Sequence, residues 1–245
     1  EHTQAACNML LDYLATHPDA KIRYHASDMV LAVCSDAAYL VLPNARSRAA
    51  GHFFLTSLAS ATSSPPTPTP NGPNHVLCKT LRTVAASAAE AEIGSLFLNA
   101  QEAVPIRTAL EEMGHPQPPL GTPLETDNST AHGILHATVR MKRSKAFDMR
   151  YHWLQDRLRQ GQFNLHWGPG KHNSADYFSK HHPPAHHKIM RSNYLHTLRA
   201  TLSVPQTIPT RHVTPSVRGC VSPSGRASGF SCPQTTSRVL ARHAF

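Results

Sequence analysis

The chain has 245 residues, 40% hydrophobic and 16% charged, and its 24 Lys and Arg against 15 Asp and Glu give a formal net charge of +9. That is enough apolar material for one sizeable core, while 20 prolines point to substantial irregular segments. No run approaches the uninterrupted apolar length of a membrane-spanning helix, and irregularly spaced cysteines fit neither a zinc pattern nor a disulfide framework, so a reducing compartment is expected.

The opening EHTQAAC has neither a start methionine nor a basic leader, so the chain reads as a piece of something longer. QAACNMLLDYLATHPDA predicts a short helix closed by its His-Pro-Asp turn. KIRYHA and DMVLAVCSDAAY predict strands, the second nearly all apolar from Met29 to Cys34 and therefore central. GHFFLTSL (51–58) is a further strand. The Pro/Ser/Thr-rich residues 59–75 cannot offset their ordering entropy by burial and predict a mobile loop, after which VLCKTL resumes as a strand.

Residues 87–113 give the strongest helix signal. Ser87 and Glu90 form a capping box, and Ile93, Phe97, Ala100 and Val104 recur at helical spacing. Pro105 predicts a kink or split before Ile106, Leu110 and Met113, and Gly114 with Pro116 ends the run. PLETD then predicts a strand ending in Asp127, and NSTAHGILHA a short helix. A basic loop, VRMKRSK, leads to an amphipathic helix with Phe147, Tyr151, Leu154 and Leu158 on one stripe and Gly161 at its end. FNLHW alternates as a half-buried strand does. After a GPGK turn, NSADYFSKHH opens a last helix with Asn173 as its N-cap. This order implies an α/β fold with a mixed sheet. The tail from residue 203 lacks periodicity and reads as disordered, with Cys220 and Cys232 incidental.

Two features carry chemistry. Between residues 140 and 191 the bases Arg140, Lys142, Arg143, Lys145, Arg150, Arg157, Arg159, Lys171, Lys180, Lys188 and Arg191 face only Asp148, Asp156 and Asp176. Such a half is the footprint of a polyanion partner, although on charge alone a solvated face explains it better. Second, Asp36 and Asp127 each close an apolar strand, Glu92 lies one turn into the long helix, and Asp176 lies in the first turn of the last helix. If the two strands are parallel neighbours, their tips share one edge of the sheet. Four carboxylates brought together would raise one another's pKa unless divalent cations neutralise them, and hard cations, Mg²⁺ or Mn²⁺, suit oxygen ligands. Two such ions can hold the attacking water and the leaving oxygen of a phosphodiester in line. Taken singly, Asp36 is a turn residue, Asp127 an N-cap and Asp176 a partner of the helix dipole.

The segments SDAAY, ARSRAAGHFFL, TVAASAAEAEI, ETDNSTA, RSKAFDMRYHWLQDRLRQGQF and NSADYFSK resemble, in order and content, the ribonuclease H domain that ends the polyprotein of copia-type LTR retrotransposons. The resemblance covers residues 1–195; residues 1–27 resemble the end of the preceding reverse transcriptase, 28–195 the ribonuclease H-like domain, and 196–245 form the tail. It implies a ribonuclease H-like fold, a five-stranded mixed sheet flanked by helices, that cleaves the RNA strand of an RNA–DNA hybrid. It places the catalytic, metal-binding acids at Asp36, Glu92, Asp127 and Asp176, with two Mg²⁺ or Mn²⁺ ions as cofactors. Glu92 is preferred over Glu90 because Glu90 is already the capping-box residue, two positions around the helix.

The resemblance also implies phosphate contacts from Arg140, Lys142, Arg143 and Lys145, and recognition of RNA by its 2′-hydroxyls. The implied partners are the reverse transcriptase and integrase portions of the same polyprotein, and the implied location is a cytoplasmic particle or the nucleus. The loop at 59–75 is longer than the family's usual hairpin, and neither His166 nor His172 aligns with the mobile histidine of many ribonucleases H; each reads as a surface or strand histidine. HHPPAHH (181–187) has no cysteine or acid at ligand spacing and reads as a surface segment, and Trp153 and Trp167 fall where a core face is expected. The competing class is an inactive or co-opted fragment that grips nucleic acid without cutting it.

Overall fold

The computed structural model describes residues 2–57, 68–139 and 149–196. In chain order the elements are α1 (His2–Thr16), β1 (Val30–Leu42), β2 (Arg46–Thr56), β3 (Pro73–Thr80), α2 (Ala88–Glu112), β4 (Thr122–Thr126), α3 (Ser129–Leu135), α4 (Met149–Arg159), β5 (Phe163–Trp167), α5 (Asp176–Ser179) and α6 (Pro184–Met190). The sheet has five strands in the order β3-β2-β1-β4-β5. β1–β2 and β2–β3 pair antiparallel, and β1–β4 and β4–β5 pair parallel. The architecture is therefore the α/β, five-stranded mixed sheet flanked by helices that the sequence leads one to expect. No described helix is long and apolar enough to cross a membrane.

β1 is central because both its faces bury apolar side chains. Leu31 and Val33 join Ala49, Phe53, Leu77, Leu124 and the α2 residues Ile93, Leu96 and Ala100 in the main core. Ala32 and Cys34 face the other way and pack with Phe54 and Ala175. Period-2 alternation thus serves two layers at once, as a strand covered on both faces requires.

α2 begins as its sequence directs. The Glu90 N–H donates to Ser87 Oγ (3.2 Å), and Glu90 Oε2 accepts from the Ala86 N–H (2.7 Å), one residue ahead of the usual capping-box partner. The expected break at Pro105 does not occur, and α2 runs unbroken to Glu112. Pro105 and Gln101, whose carbonyl loses its helical partner, are both exposed, so that carbonyl is open to solvent while the opposite side stays packed through Ala100 and Ala103.

Other expectations are corrected. KIRYHA forms no strand: Lys21 makes a single bridge with His196, and the His25 backbone is held by the Asn71 side chain, which accepts from the His25 N–H (2.9 Å) and donates to its carbonyl (3.0 Å). An amide side chain there stands in for a neighbouring strand. The loop expected at 59–75 ends earlier, since Pro73 to His75 already belong to β3; its residues 59–67 lie outside those described. The last helix is only the single turn α5, because Pro183 and Pro184 push the chain before them into extended backbone, and α6 follows separately. Trp167 is 49% exposed rather than packed in the core, being the final residue of the edge strand β5. Trp153 packs edge-on against Phe97 as expected. Residues Glu1–Val204 form one compact unit.

Behind β1 lies a buried polar knot. The Asn99 amide nitrogen donates to Ser35 Oγ (2.9 Å) and the Ala50 carbonyl (2.9 Å), and Ser95 Oγ donates to the Asp36 carbonyl (2.7 Å). Gly51 makes room for it: a Cβ there would fall 1.9 Å from Asn99 Oδ1. Asn99→Ala should lower the unfolding free energy by about 2–3 kcal/mol, through unpaired buried acceptors and the space left behind. Urea denaturation followed by circular dichroism measures it; a loss within error of zero would mean that the knot does not hold α2 to the sheet.

Candidate metal centre

The parallel β1–β4 ladder sets the site. Its pairs are Val33 with Leu124 and Cys34 with Glu125. Two residues further along each strand, Asp36 and Asp127 stand level and, by alternation, on the face shared by Cys34 and Glu125. Asp36 is not at a strand tip as expected. β1 continues to Leu42 because its other edge stays paired with β2 down to Leu42–Arg46. Beyond Thr126, β4 has ended, and the space between the strands is free for side chains.

Glu92 enters from α2, one turn past the cap. Its Oε1 accepts from the Ala37 N–H (2.9 Å) and its Oε2 from the Thr126 hydroxyl (3.3 Å), so both neighbouring strands orient one carboxylate. Asp36, Glu92 and Asp127 bring one oxygen each within 4.8 Å of one another. Asp36 and Glu92 are only 2% and 4% exposed; Asp127 is partly open to solvent. Asn128, not Asp127, caps α3, accepting from the Ala131 N–H (2.9 Å). Asp127 is thereby left free of a capping role. Gly170 lets the loop after β5 pass closely, since a Cβ there would come 2.7 Å from Asp127 Oδ2.

Asp176 opens α5 but is not one of this close group. Its carboxylate pairs with Lys180, whose Nζ also lies 3.8 Å from Asp36 Oδ2. α5 is tied to the site by Asn173. Its Nδ2 donates to the Ser35 carbonyl (2.8 Å) while its Oδ1 accepts from the Ala175 N–H (3.0 Å); the N-cap of α5 is Ala175 rather than the expected Asn173, which lies two residues ahead of it. The candidate nucleic-acid contacts Arg140, Lys142, Arg143 and Lys145 lie outside the described residues. His166 sits in β5 beside Glu125, 3.5 Å from its Oε2, and His172 is exposed in the turn that follows.

The electrostatics follow from burial. Burial first, then the charges of Asp36 and Asp127, push Glu92 well above the ordinary carboxylate range. Burial also raises Asp36, with the Ser179 hydroxyl and Lys180 pulling it partly back, and burial with the Asp36 charge raises Asp127. Asp36 Oδ2 is buried without a hydrogen-bond partner among the described residues. An orphaned carboxylate oxygen among hard oxygen donors, with no His or Cys in the group, fits a small divalent cation such as Mg²⁺ or Mn²⁺.

Sequence reasoning named the acids but gave no role to Lys180 or Gly170. Lys180 had a readable signal, its four-residue spacing from Asp176; the close approach of Gly170 to Asp127 exists only in three dimensions.

A group whose pKa is raised on folding stabilises at low pH and loses that contribution as pH rises through its folded value. In chelator at neutral pH, Glu92→Gln should therefore melt a few degrees higher than the parent, because a neutral isostere does not carry the cost of burying a group that is ionised in the unfolded chain. The gap should close as pH falls below the ordinary glutamate value of 4.5. Paired thermal melts across pH check this, and a variant less stable than the parent at neutral pH contradicts it.

No family model matches the chain, and no curated protein matches it. Similar solved structures are ribonuclease H domains. The N-terminal RNase H domain of Rv2228c from Mycobacterium tuberculosis is 12% identical, with 67% of this chain and 96% of that one covered at a TM-score of 0.42. LC11-RNase H1 from a compost metagenome, in complex with an RNA/DNA hybrid, is 8% identical, with 60% and 92% covered at 0.43. The foamy viral protease-reverse transcriptase in complex with dsDNA is 14% identical, with 62% and 92% covered at 0.36.

Proposed function

We propose that the chain is a metal-dependent endonuclease of the ribonuclease H type, hydrolysing the RNA strand of RNA–DNA hybrids during reverse transcription of a copia-type retrotransposon. The observation that carries this reading is the convergence of Asp36, Glu92 and Asp127 from β1, α2 and β4, with Asp36 Oδ2 buried and without a hydrogen-bond partner among the described residues. Three acids, two of them buried, held together at a cost to their own ionisation have a use when divalent cations are the ligand. Lys79–Glu102, by contrast, is an ordinary pair of opposite charges.

In this reading Asp36, Glu92 and Asp127 hold one ion, and Asp176 joins Asp36 for a second. Bound divalent ions supply Lewis-acid stabilisation of the attacking and leaving oxygens of a phosphodiester. The Ala37 N–H and the Thr126 hydroxyl fix the Glu92 carboxylate so that it need not reorganise. Asp127 is the member of the group that is partly open to solvent and so to an incoming phosphate. Arg140, Lys142, Arg143 and Lys145 track phosphates and make binding salt-dependent. The remaining polyprotein, reverse transcriptase and integrase, is the proposed partner, in a cytoplasmic particle or the nucleus. The exposed Met9, Leu10, Leu11 and Leu14 of α1 offer an apolar surface for the preceding segment.

Asp127→Asn should reduce Mg²⁺-dependent cleavage of an RNA–DNA hybrid by about 100-fold or more, while hybrid binding is kept or tightened. The amide keeps the shape at the end of β4 and removes one negative charge from the cluster. Cleavage assays in Mg²⁺ and Mn²⁺ beside a salt titration of binding measure both effects. A parent chain that binds hybrid yet never cuts it in either ion supports the binding-only fragment and defeats the enzyme reading.

A further inference from the structure

Lys180 follows Asp176 by one helical turn, and its ammonium pairs with that carboxylate. The same nitrogen lies 3.8 Å from Asp36 Oδ2, the buried oxygen without a hydrogen-bond partner among the described residues. One flexible cation therefore stands between two of the four acids. Glu92 is placed differently, since its oxygens are engaged by the Ala37 N–H and the Thr126 hydroxyl.

We propose that the Lys180 ammonium is a resident counter-cation in the place between Asp36 and Asp176, so that the centre takes one divalent ion at Asp36, Glu92 and Asp127 and a second only when Lys180 swings out. This rests on the metal assignment of the nuclease reading and deepens it. An ammonium approaches a carboxylate oxygen at about 2.8 Å, whereas Mg²⁺ binds oxygen at about 2.1 Å, and both cannot occupy the space between the same two carboxylates. Lys180 is built to leave. Its side chain is 45% exposed, and its four-carbon stem reaches solvent without moving the backbone. An incoming backbone phosphate offers the ammonium a new anionic partner, so the polyanion itself vacates the place. Occupancy by the second ion is then coupled to arrival of the nucleic acid, and the free chain rests in a one-ion state.

Mn²⁺ binding to the full chain, followed by calorimetry and by electron paramagnetic resonance, tests this without reference to turnover. The parent should bind one ion and then a second about tenfold or more weakly. Lys180→Met, which keeps the stem and removes the charge, should tighten the second ion about tenfold and leave the first within about twofold. Lys180→Arg should behave as the parent. Lys180→Gln supplies the same test if the Met variant does not give a native circular dichroism spectrum. Two equally tight ions in the parent, or a second ion unchanged or weaker in both neutral variants, overturn the proposal. The two readings fail separately. The expected Mn²⁺ pattern without hybrid cleavage keeps the Lys180 role and removes the nuclease, whereas a parent that binds no Mn²⁺ removes both.

Discussion

Mutual repulsion among carboxylates held out of water is the constraint around which this molecule is arranged. Asp36, Glu92 and Asp127 each lose solvation on folding, and each makes ionisation of the others harder. Nothing in packing alone favours such an arrangement, so the surrounding structure has to hold it. The knot of Ser35, Ser95 and Asn99 fixes the β1 backbone against α2, the Thr126 hydroxyl and the Ala37 N–H fix Glu92, and Asn173 fixes α5 to Ser35.

The same constraint explains the position of the helices. α2 must start beside the sheet for its second turn to deliver Glu92, and its cap at Ser87 sets that register. α5 is too short to be stable alone, yet its start is anchored by Asn173 and by Ala175 packed against Ala32, Cys34 and Phe54. A short helix with a fixed start suits a residue that must present a charge at the margin of a site without joining its centre.

Much of this was readable in the chain itself. Strong apolar runs gave β1, capping signals gave α2, and alternation in FNLHW gave β5, because each is a local pattern with one stable outcome. The acids were readable because each lies beside such a pattern. What escaped was set by partners distant in sequence. KIRYHA has strand-like composition, but the neighbour it meets is the Asn71 side chain rather than a free strand edge. Pro105 breaks a helix in isolation and not one packed along its far side. Asp36 looks like the end of a strand only if the pairing with β2, whose residues lie further along the chain, is unknown. Lys180 was visible as one base among many, and its pairing with Asp176 and Asp36 needs the fold.

The two edges of β1 are paired over different lengths. Val33 and Cys34 have strands on both sides, whereas Asp36 and those beyond it have only β2. The first part of the strand can open only with the global unfolding of the sheet, while the hairpin beyond Asp36 can fray as a local excursion of lower free energy. Asp36 therefore marks a seam between two cooperative units of the same strand. An ion bridging it to Asp127 would close the open edge, acting as a substitute for the missing pairing and shifting the hairpin from the fraying unit into the rigid one.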